Sequence, residues 1–259
     1  MDGLLWANQV SYNYLLPSQN FINYSFDSSA AAAVPGSVGV GEMDAGQQAG
    51  TIQMLNYVSS VTGIVFKNTT GDANAPVNLF FGYSGDFNGG WYGVDYNNIA
   101  YGQDAGGNLT SLAIHDSILL SNDYDPLSSI TPGSPGYDVL LHEIGHALGL
   151  KNADDGPNPV PAGLENLAST IMADPVRLDP GNPPGTSAHF GTLDIQALNW
   201  VLRGDGLLGK YGLTADANGN PVAGGFNPAI ASAGAAGSSP AATAAGAVFG
   251  KQNTLFAVS

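Results

Sequence analysis

The sequence has 259 residues, a hydrophobic share of 44% and a formal net charge of −15. The length allows one substantial domain with an appendage, or two small domains, and the composition allows a packed core. So acidic a chain repels nucleic acid and anionic membranes, which bind basic patches. No apolar run approaches the roughly 20 residues of a membrane-spanning helix. We therefore expect neither a nucleic-acid partner nor membrane insertion.

The side chains present limit the kinds of site that the chain can build. The sequence has no cysteine, which excludes disulfides, thiolate metal ligands and thiol nucleophiles. A transition-metal site must therefore use histidine, carboxylates or weaker oxygen donors. The acidic residues are mostly aspartates, many of them in Gly- and Asn-rich loops, which suit hard cations, so calcium is a second candidate ion.

The first half of the chain predicts strands and one long helix. Residues 10–26 alternate apolar with polar side chains and predict a strand. A helix is predicted from Asp44, as its N-cap, to Gly63, because apolar residues recur at helical spacing between them. Further strands are predicted at four places separated by Gly-, Asn- and Asp-rich loops: 64–66, 77–81, 98–101 and 112–120.

The second half predicts two amphipathic helices, over 138–150 and 192–202, with a long proline-rich irregular segment between them. Thr192 or Asp194 is the candidate cap of the second helix. The composition changes after about residue 209. There, residues 213–222 predict a hairpin, 231–247 a linker or tail, and 254–258 a docked strand or the remnant of a longer chain. We therefore divide the chain into a domain over 1–209 and an extension over 210–259.

Residues 142–146 read His-Glu-Ile-Gly-His. The spacing places the His142 and His146 imidazoles one turn apart on one helix face, where both can reach one ion. Glu143 borders the same cavity and can act as general base for a water whose pKa zinc lowers towards neutrality. The pattern also arises by chance on amphipathic helices. Gly149 and Met172 downstream favour the metal site.

The run His142-Glu143-x-x-His146-x-x-Gly149, with Met172 downstream, resembles the metzincin metalloproteases. The fuller string HEIGHALGL, the preceding GYDVLL and the later LDIQAL at 193–198 are similar to the serralysin branch, and the likeness covers about residues 5–205. It implies an α+β fold with a twisted five-stranded mixed sheet above the active-site helix, and a smaller C-terminal subdomain after the metal-binding motif.

The resemblance also implies a function and the residues that perform it. The chain would be a secreted, monomeric zinc endopeptidase acting on proteins or peptides, with His142 and His146 as zinc ligands and Glu143 as the general base. Met172 would form a hydrophobic floor under the metal, a role compatible with simple core packing. An extended substrate would lie along the edge strand near 98–101.

The chain departs from the family pattern where the third zinc ligand is expected. Relatives carry a histidine six residues after the second one, and this chain has Asn152 there. A neutral amide oxygen is a weaker zinc donor than imidazole or carboxylate. We rank Asn152 first by position, Asp154 second as a sound carboxylate ligand, and His189 third.

Two further departures concern Asp174 and the region after the catalytic domain. Serralysins have a tyrosine where this chain has Asp174, which could bind the metal or an arginine, or be a turn residue before Pro175. The nine-residue glycine-aspartate calcium repeats that follow the family's catalytic domain are absent from the sequence. His189 is a candidate substrate contact or a surface histidine. His115 is interpreted as a hydrogen-bonded strand histidine rather than a ligand.

A rival hypothesis is a non-catalytic or weakly active binding protein on the same fold, with its metal site altered at Asn152 and Asp174. Glu143 discriminates between the two, because a site that has lost catalysis has no need of a general base. Its presence favours the enzyme.

Overall fold

The computed structural model describes residues 2–5, 12, 21–31, 37–85, 92–103, 109–123, 125–156, 158–173, 187–203, 213–215, 221–226, 247–249 and 253–255. These segments form an α+β structure with one mixed β-sheet, a separate two-stranded hairpin and three α-helices.

The mixed sheet is built mainly from six strands of the first half of the chain. They are β1 (Ile22–Ser25), β2 (Val38–Glu42), β3 (Phe66–Asn68), β4 (Leu79–Gly85), β5 (Gly93–Gln103) and β6 (Leu109–Ser121). Strands β3, β1, β4 and β6 lie side by side in parallel, and β5 runs antiparallel to β6. Strand β2 pairs antiparallel with the end of β4 that extends beyond β1.

Four short strands follow in the last part of the chain: β7 (Leu213–Ala215), β8 (Pro221–Phe226), β9 (Ala247–Phe249) and β10 (Asn253–Leu255). β7 and β8 form the antiparallel hairpin that the sequence predicts for 213–222. β9 and β10 pair antiparallel with β5, opposite the side taken by β6. The docked strand expected near 254–258 is therefore present, although it lies over 253–255.

Two of the three helices begin at residues whose side chains cap them. α1 (Ala45–Thr62) starts at Asp44, which accepts from the Gln47 main-chain N–H while the Gln47 side chain accepts from the Asp44 N–H, and it ends at left-handed Gly63. α2 (Pro135–Ala147) starts at Ser134, whose hydroxyl accepts from the Tyr137 N–H. The third helix is α3 (Thr192–Arg203).

The motif-bearing helix lies in the centre of the core. Every residue of α2 after Pro135 is buried. The helix packs against strands β5 and β6 of the sheet, and α1 packs against both α2 and α3. Among the described segments, no helix has the length and apolar character needed to cross a bilayer.

Helices α1 and α3 confirm the predicted ones, whereas the bounds predicted for α2 are wrong. α2 starts at Pro135 rather than Asp138, because Ser134 caps it and proline is well suited to the first helical turn. It ends at Ala147 rather than Leu150, since the chain turns at Gly149 with φ of 107°.

Several predicted strand bounds also differ from the structure. β3 lies two residues later than predicted, and β4 starts two residues later and ends four residues later. The strand expected at 98–101 extends over 93–103 because it pairs along its length with β6. Of the strand predicted over 10–26, only Ile22–Ser25 is a described strand. Residues 13–20 lie outside the described segments, as do 231–246 of the predicted linker.

Gly50 fixes how closely α1 approaches the loop that leads into α2. A Cβ at this position would overlap the carbonyl oxygen of Ile130. We predict that Gly50→Ala lowers the free energy of unfolding by about 1–3 kcal/mol, despite the gain of about 1 kcal/mol in helix propensity that alanine brings. Urea unfolding measures the difference.

Gly46→Ala in the same helix is the matched control. Its Cβ would meet only the Asp44 carboxylate oxygen that caps the helix, at 3.2 Å, and a movement of a few tenths of an ångström, small enough to keep the cap, relieves that contact. We expect this variant to be as stable as the original protein or more so. Equal effects of the two substitutions would contradict the proposed close approach.

Candidate metal centre

Helix α2 presents His142 and His146 side by side in the interior. Both are buried, and their ring centroids are 4.5 Å apart. His142 Nδ1 lies 2.8 Å from the Ile171 carbonyl oxygen, and His146 Nδ1 lies 2.9 Å from that of Leu150. A carbonyl only accepts, so each Nδ1 carries the proton and donates. In a neutral imidazole this leaves the lone pair on Nε2, the form that binds a metal ion.

Asn152 lies in the segment that follows α2 and is buried, with 6% of its surface exposed. Its Nδ2 donates to Asp155 Oδ2 at 3.2 Å, and its Oδ1 is buried without a hydrogen-bond partner among the described residues. The next N–H, of Ala153, donates to the Met172 carbonyl at 2.9 Å. Asp154, the alternative third ligand, is exposed. Burial therefore favours Asn152 Oδ1 over the exposed Asp154 as the candidate donor.

Within the described part of the chain, no three His, Cys, Asp or Glu side chains are grouped so that they could hold a metal ion. A neutral oxygen is then the third donor to consider first for the two histidines. Asn152 Oδ1 is a buried oxygen without a hydrogen-bond partner among the described residues, and two nitrogens with one oxygen are a donor set that zinc accepts.

Glu143 is buried and lies against strand β5. A Cβ on Gly93 would be 3.0 Å from Glu143 Oε1 and 2.8 Å from Val139 Cγ1. A side chain on Gly93 would therefore push strand and helix apart. Glycine lets this main chain approach the carboxylate that the sequence predicts as the general base.

Met172 packs against helix α2. It is fully buried, and a Cβ on Gly145 would be only 2.7 Å from its sulfur atom. Gly145 lies between the two histidines in the sequence, so the methionine sulfur packs against the helix at the level of the motif. The structure thus shows Met172 in a core packing role, and its place under a metal ion stays a prediction.

The turn that carries Met172 is held by Asp194 of α3. The buried Asp194 carboxylate accepts from Thr170 Oγ1 at 2.5 Å, Ile171 N at 2.7 Å and Gly191 N at 2.7 Å. The Ile171 carbonyl in turn accepts from His142 Nδ1, so Asp194 holds the residue that orients a candidate ligand. Sequence reasoning found Asp194 only as a helix cap, because its partners at the turn lie 23 and 24 residues away.

Two buried carboxylates on the sheet were missed by the sequence analysis altogether. Asp95 of β5 is 3% exposed and Asp116 of β6 is 0% exposed. Burial raises the pKa of both carboxyl groups well above the ordinary value, and the charges of Asp116 and then Glu143 raise the pKa of Asp95 further. The hydroxyl of Tyr12 opposes the rise in the pKa of Asp116. The only sequence signal was that Asp116 lies within the strand predicted over 112–120, whereas Asp95 precedes the strand predicted at 98–101.

Of the remaining candidate residues, the structure describes His189 and His115 but not Asp174. His189 is exposed, and its ring packs edge-to-face on Tyr57 of α1 with centroids 5.1 Å apart. His115 on β6 hydrogen-bonds through Nε2 to the Ala30 carbonyl, which confirms its interpretation as a hydrogen-bonded strand histidine. Asp174 lies outside the described residues.

Comparison of the sequence with known protein-family models finds no match, and comparison with curated proteins finds no significant match either. The function must therefore be inferred from the residues and geometry of this chain.

We predict that Asp194→Asn lowers the free energy of unfolding by roughly 1.5–3 kcal/mol, because an amide has one acceptor oxygen for three buried donors. Thr170→Val removes only one of those hydrogen bonds and should cost less. Urea unfolding of both variants gives the comparison. Equal stability of Asp194→Asn and the unaltered protein would show that the carboxylate does not hold the turn.

A second prediction concerns Asp95 and Asp116. Folding raises both pKa values above the ordinary 3.8, so the stability they contribute is present below that pH and is lost as pH rises through the raised values. Asp95→Asn and Asp116→Asn should therefore gain stability relative to the unaltered protein as the pH increases from about 4.

The measurement is the urea midpoint at a series of pH values. The control is Asp72→Asn, at an exposed turn residue whose carboxylate accepts from the Asn74 N–H. We expect the control to keep a constant difference from the unaltered protein. A constant difference for Asp95→Asn and Asp116→Asn as well would contradict the raised pKa values.

Proposed function

We propose that this chain is a metzincin-like zinc endopeptidase, similar to the serralysin branch, that hydrolyses peptide bonds in proteins. One observation carries the proposal: two buried imidazoles donate through Nδ1 to main-chain carbonyls, and a buried Glu143 between them in sequence lies against strand β5 of the sheet. The mixed sheet, in which β5 runs antiparallel to β6 beside α2, is compatible with the implied fold. The resemblance alone supports secretion and a monomeric state.

His142, His146 and Asn152 would hold the zinc, with Asp154 as the alternative third ligand. Zinc in such a site polarises a substrate carbonyl and lowers the pKa of a water. The chain's own contribution is to fix both imidazoles in the metal-binding tautomer and to exclude bulk water, since both rings are buried. Calcium, suggested by the aspartate-rich loops, stays a prediction.

Glu143 is the proton carrier in this proposal. It would accept a proton from the attacking water and return it to the leaving amine. Its position against Gly93 brings the carboxylate close to the main chain of β5. A substrate paired with that strand would then present its scissile bond near the base.

Strand β5 supplies the binding edge for an extended substrate. Its main-chain groups on the side away from β6 already form antiparallel pairs with β9 and β10, so this edge accepts a strand. A peptide substrate would pair in the same way and would replace these residues of the chain.

The second candidate function is a weakly active or non-catalytic binding protein. Asn152 favours it, because a neutral oxygen holds zinc less tightly than a third imidazole. Glu143 opposes it, because its burial against β5 is costly for a carboxylate with no chemical role.

The test measures the zinc content of the purified protein together with cleavage of casein or gelatin. We expect bound zinc and cleavage in the unaltered protein. Glu143→Ala and the isosteric Glu143→Gln should keep the zinc and lose about 10²–10⁴-fold in rate, because neither can accept the proton. Activity that survives both substitutions, or the absence of both zinc and cleavage in the unaltered protein, overturns the proposal.

His142→Ala is the companion variant. It should lose zinc and activity together, whereas the Glu143 variants separate the two. A zinc content unaffected by His142→Ala would exclude His142 as a ligand. Urea unfolding of each variant checks that the fold is retained.

A further inference from the structure

The segment that follows α2, Lys151 to Asp155, connects the candidate third ligand to a carboxylate that the proposed function does not use. We propose that Asp155 is a positioning residue for zinc: it orients the Asn152 amide and increases the negative charge on its Oδ1. The proposal rests on the proposed zinc site and concerns how an amide can serve as its third ligand.

The orientation follows from the hydrogen bond between the two side chains. Asn152 Nδ2 lies 3.2 Å from Asp155 Oδ2. A carboxylate only accepts hydrogen bonds, so the amide must present its NH₂ group to Asp155. An Asn152 amide rotated by half a turn would place its oxygen next to the Asp155 carboxylate oxygen, and the two would repel each other. The amide oxygen is thereby directed away from Asp155. It is buried without a hydrogen-bond partner among the described residues, as expected of an oxygen that binds a metal ion.

Asp155 is itself held in place by the main chain. Its N–H donates to the Asn152 carbonyl at 3.2 Å, which closes a tight turn between the two residues. Its carbonyl accepts from the buried Lys151 ammonium group, which also donates to the Asn158 carbonyl at 3.3 Å. The main chain at Asp155 is therefore held in the position from which its carboxylate reaches the amide.

Ala153, the residue after the candidate ligand, is held through both its N–H and its carbonyl. Ala153 N donates to the Met172 carbonyl at 2.9 Å, and its carbonyl accepts from Val160 N at 2.6 Å. The main chain at Asn152 is thus attached to the methionine turn, and only the side-chain torsions need further control. The hydrogen bond to Asp155 supplies that control.

The electrostatic effect compensates for the weak donor. A carboxylate that accepts from the amide nitrogen draws positive charge to the NH₂ group and leaves the oxygen more negative. Carboxylates behind metal-bound histidines act in this way, and their loss typically costs 10–100-fold in metal affinity. Asp154, the exposed neighbour, makes no such contact in the described structure.

The experiment measures zinc affinity by competition with a chromophoric chelator at fixed pH. We expect Asp155→Ala to bind zinc 10–100-fold more weakly than the unaltered protein. Asp155→Asn should show a smaller loss, because its amide oxygen still accepts from Asn152 Nδ2 without the charge. Asp72→Ala, at an exposed turn aspartate, is the control for removing one negative charge.

A double-substitution cycle separates positioning from a general disturbance of the loop. In an Asn152→Ala background, Asp155→Ala should cause no further loss of affinity, since the residue it acts through is gone. An equal loss in both backgrounds, or unchanged affinity of Asp155→Ala, overturns the inference.

Two other outcomes are distinguishable from these. Weaker binding in Asp154→Ala with unchanged binding in Asn152→Ala would make Asp154 the ligand and overturn the inference while leaving the proposed function intact. An unaltered protein that binds no zinc would overturn the proposed function and this inference with it.

Discussion

The main-chain turn at Thr170–Met172 is the constraint on which the candidate site depends. The Ile171 carbonyl accepts a hydrogen bond from His142 Nδ1, and the Met172 carbonyl accepts one from the N–H of Ala153, the residue after Asn152. The Ile171 N–H donates in turn to Asp194. Three consecutive peptide units therefore connect α2, the loop after it and α3. A shift of this turn would change the orientation of two proposed ligands at once.

Burial makes these hydrogen bonds restrictive. A buried polar group without a partner costs roughly 1–3 kcal/mol, so each contact strongly favours one arrangement. The imidazole tautomers are consequently set by protein contacts in the absence of metal. Asp95 and Asp116 show the opposite case, because their burial favours the neutral carboxyl. A neutral Asp95 removes one negative charge from the surroundings of Glu143, which must carry charge to act as a base.

Features with local causes could be predicted from the sequence. Asp44 and Gly63 bound α1 as expected, because a cap and a left-handed glycine act on adjacent residues. The Ser134 cap of α2 was equally local, but the prolines of that loop obscured it. Features set by distant contacts could not be predicted: β5 has its length from pairing with β6, and Asp194 reaches partners 23 residues away. The motif spacing indicated His142, Glu143 and His146 because one helix carries all three.

The close approach at Gly93 links the proposed base to the proposed substrate edge. Glu143 Oε1 lies near the position of a Gly93 side chain, and the next residue, Val94, pairs with Leu255 across the strand edge. Any strand bound at this edge thus has its main chain in fixed register with the carboxylate. Exchange of residues 253–255 for a substrate would keep the type of hydrogen bond and change only the side chains. Selectivity would then depend on the side chains flanking the bound strand rather than on its backbone.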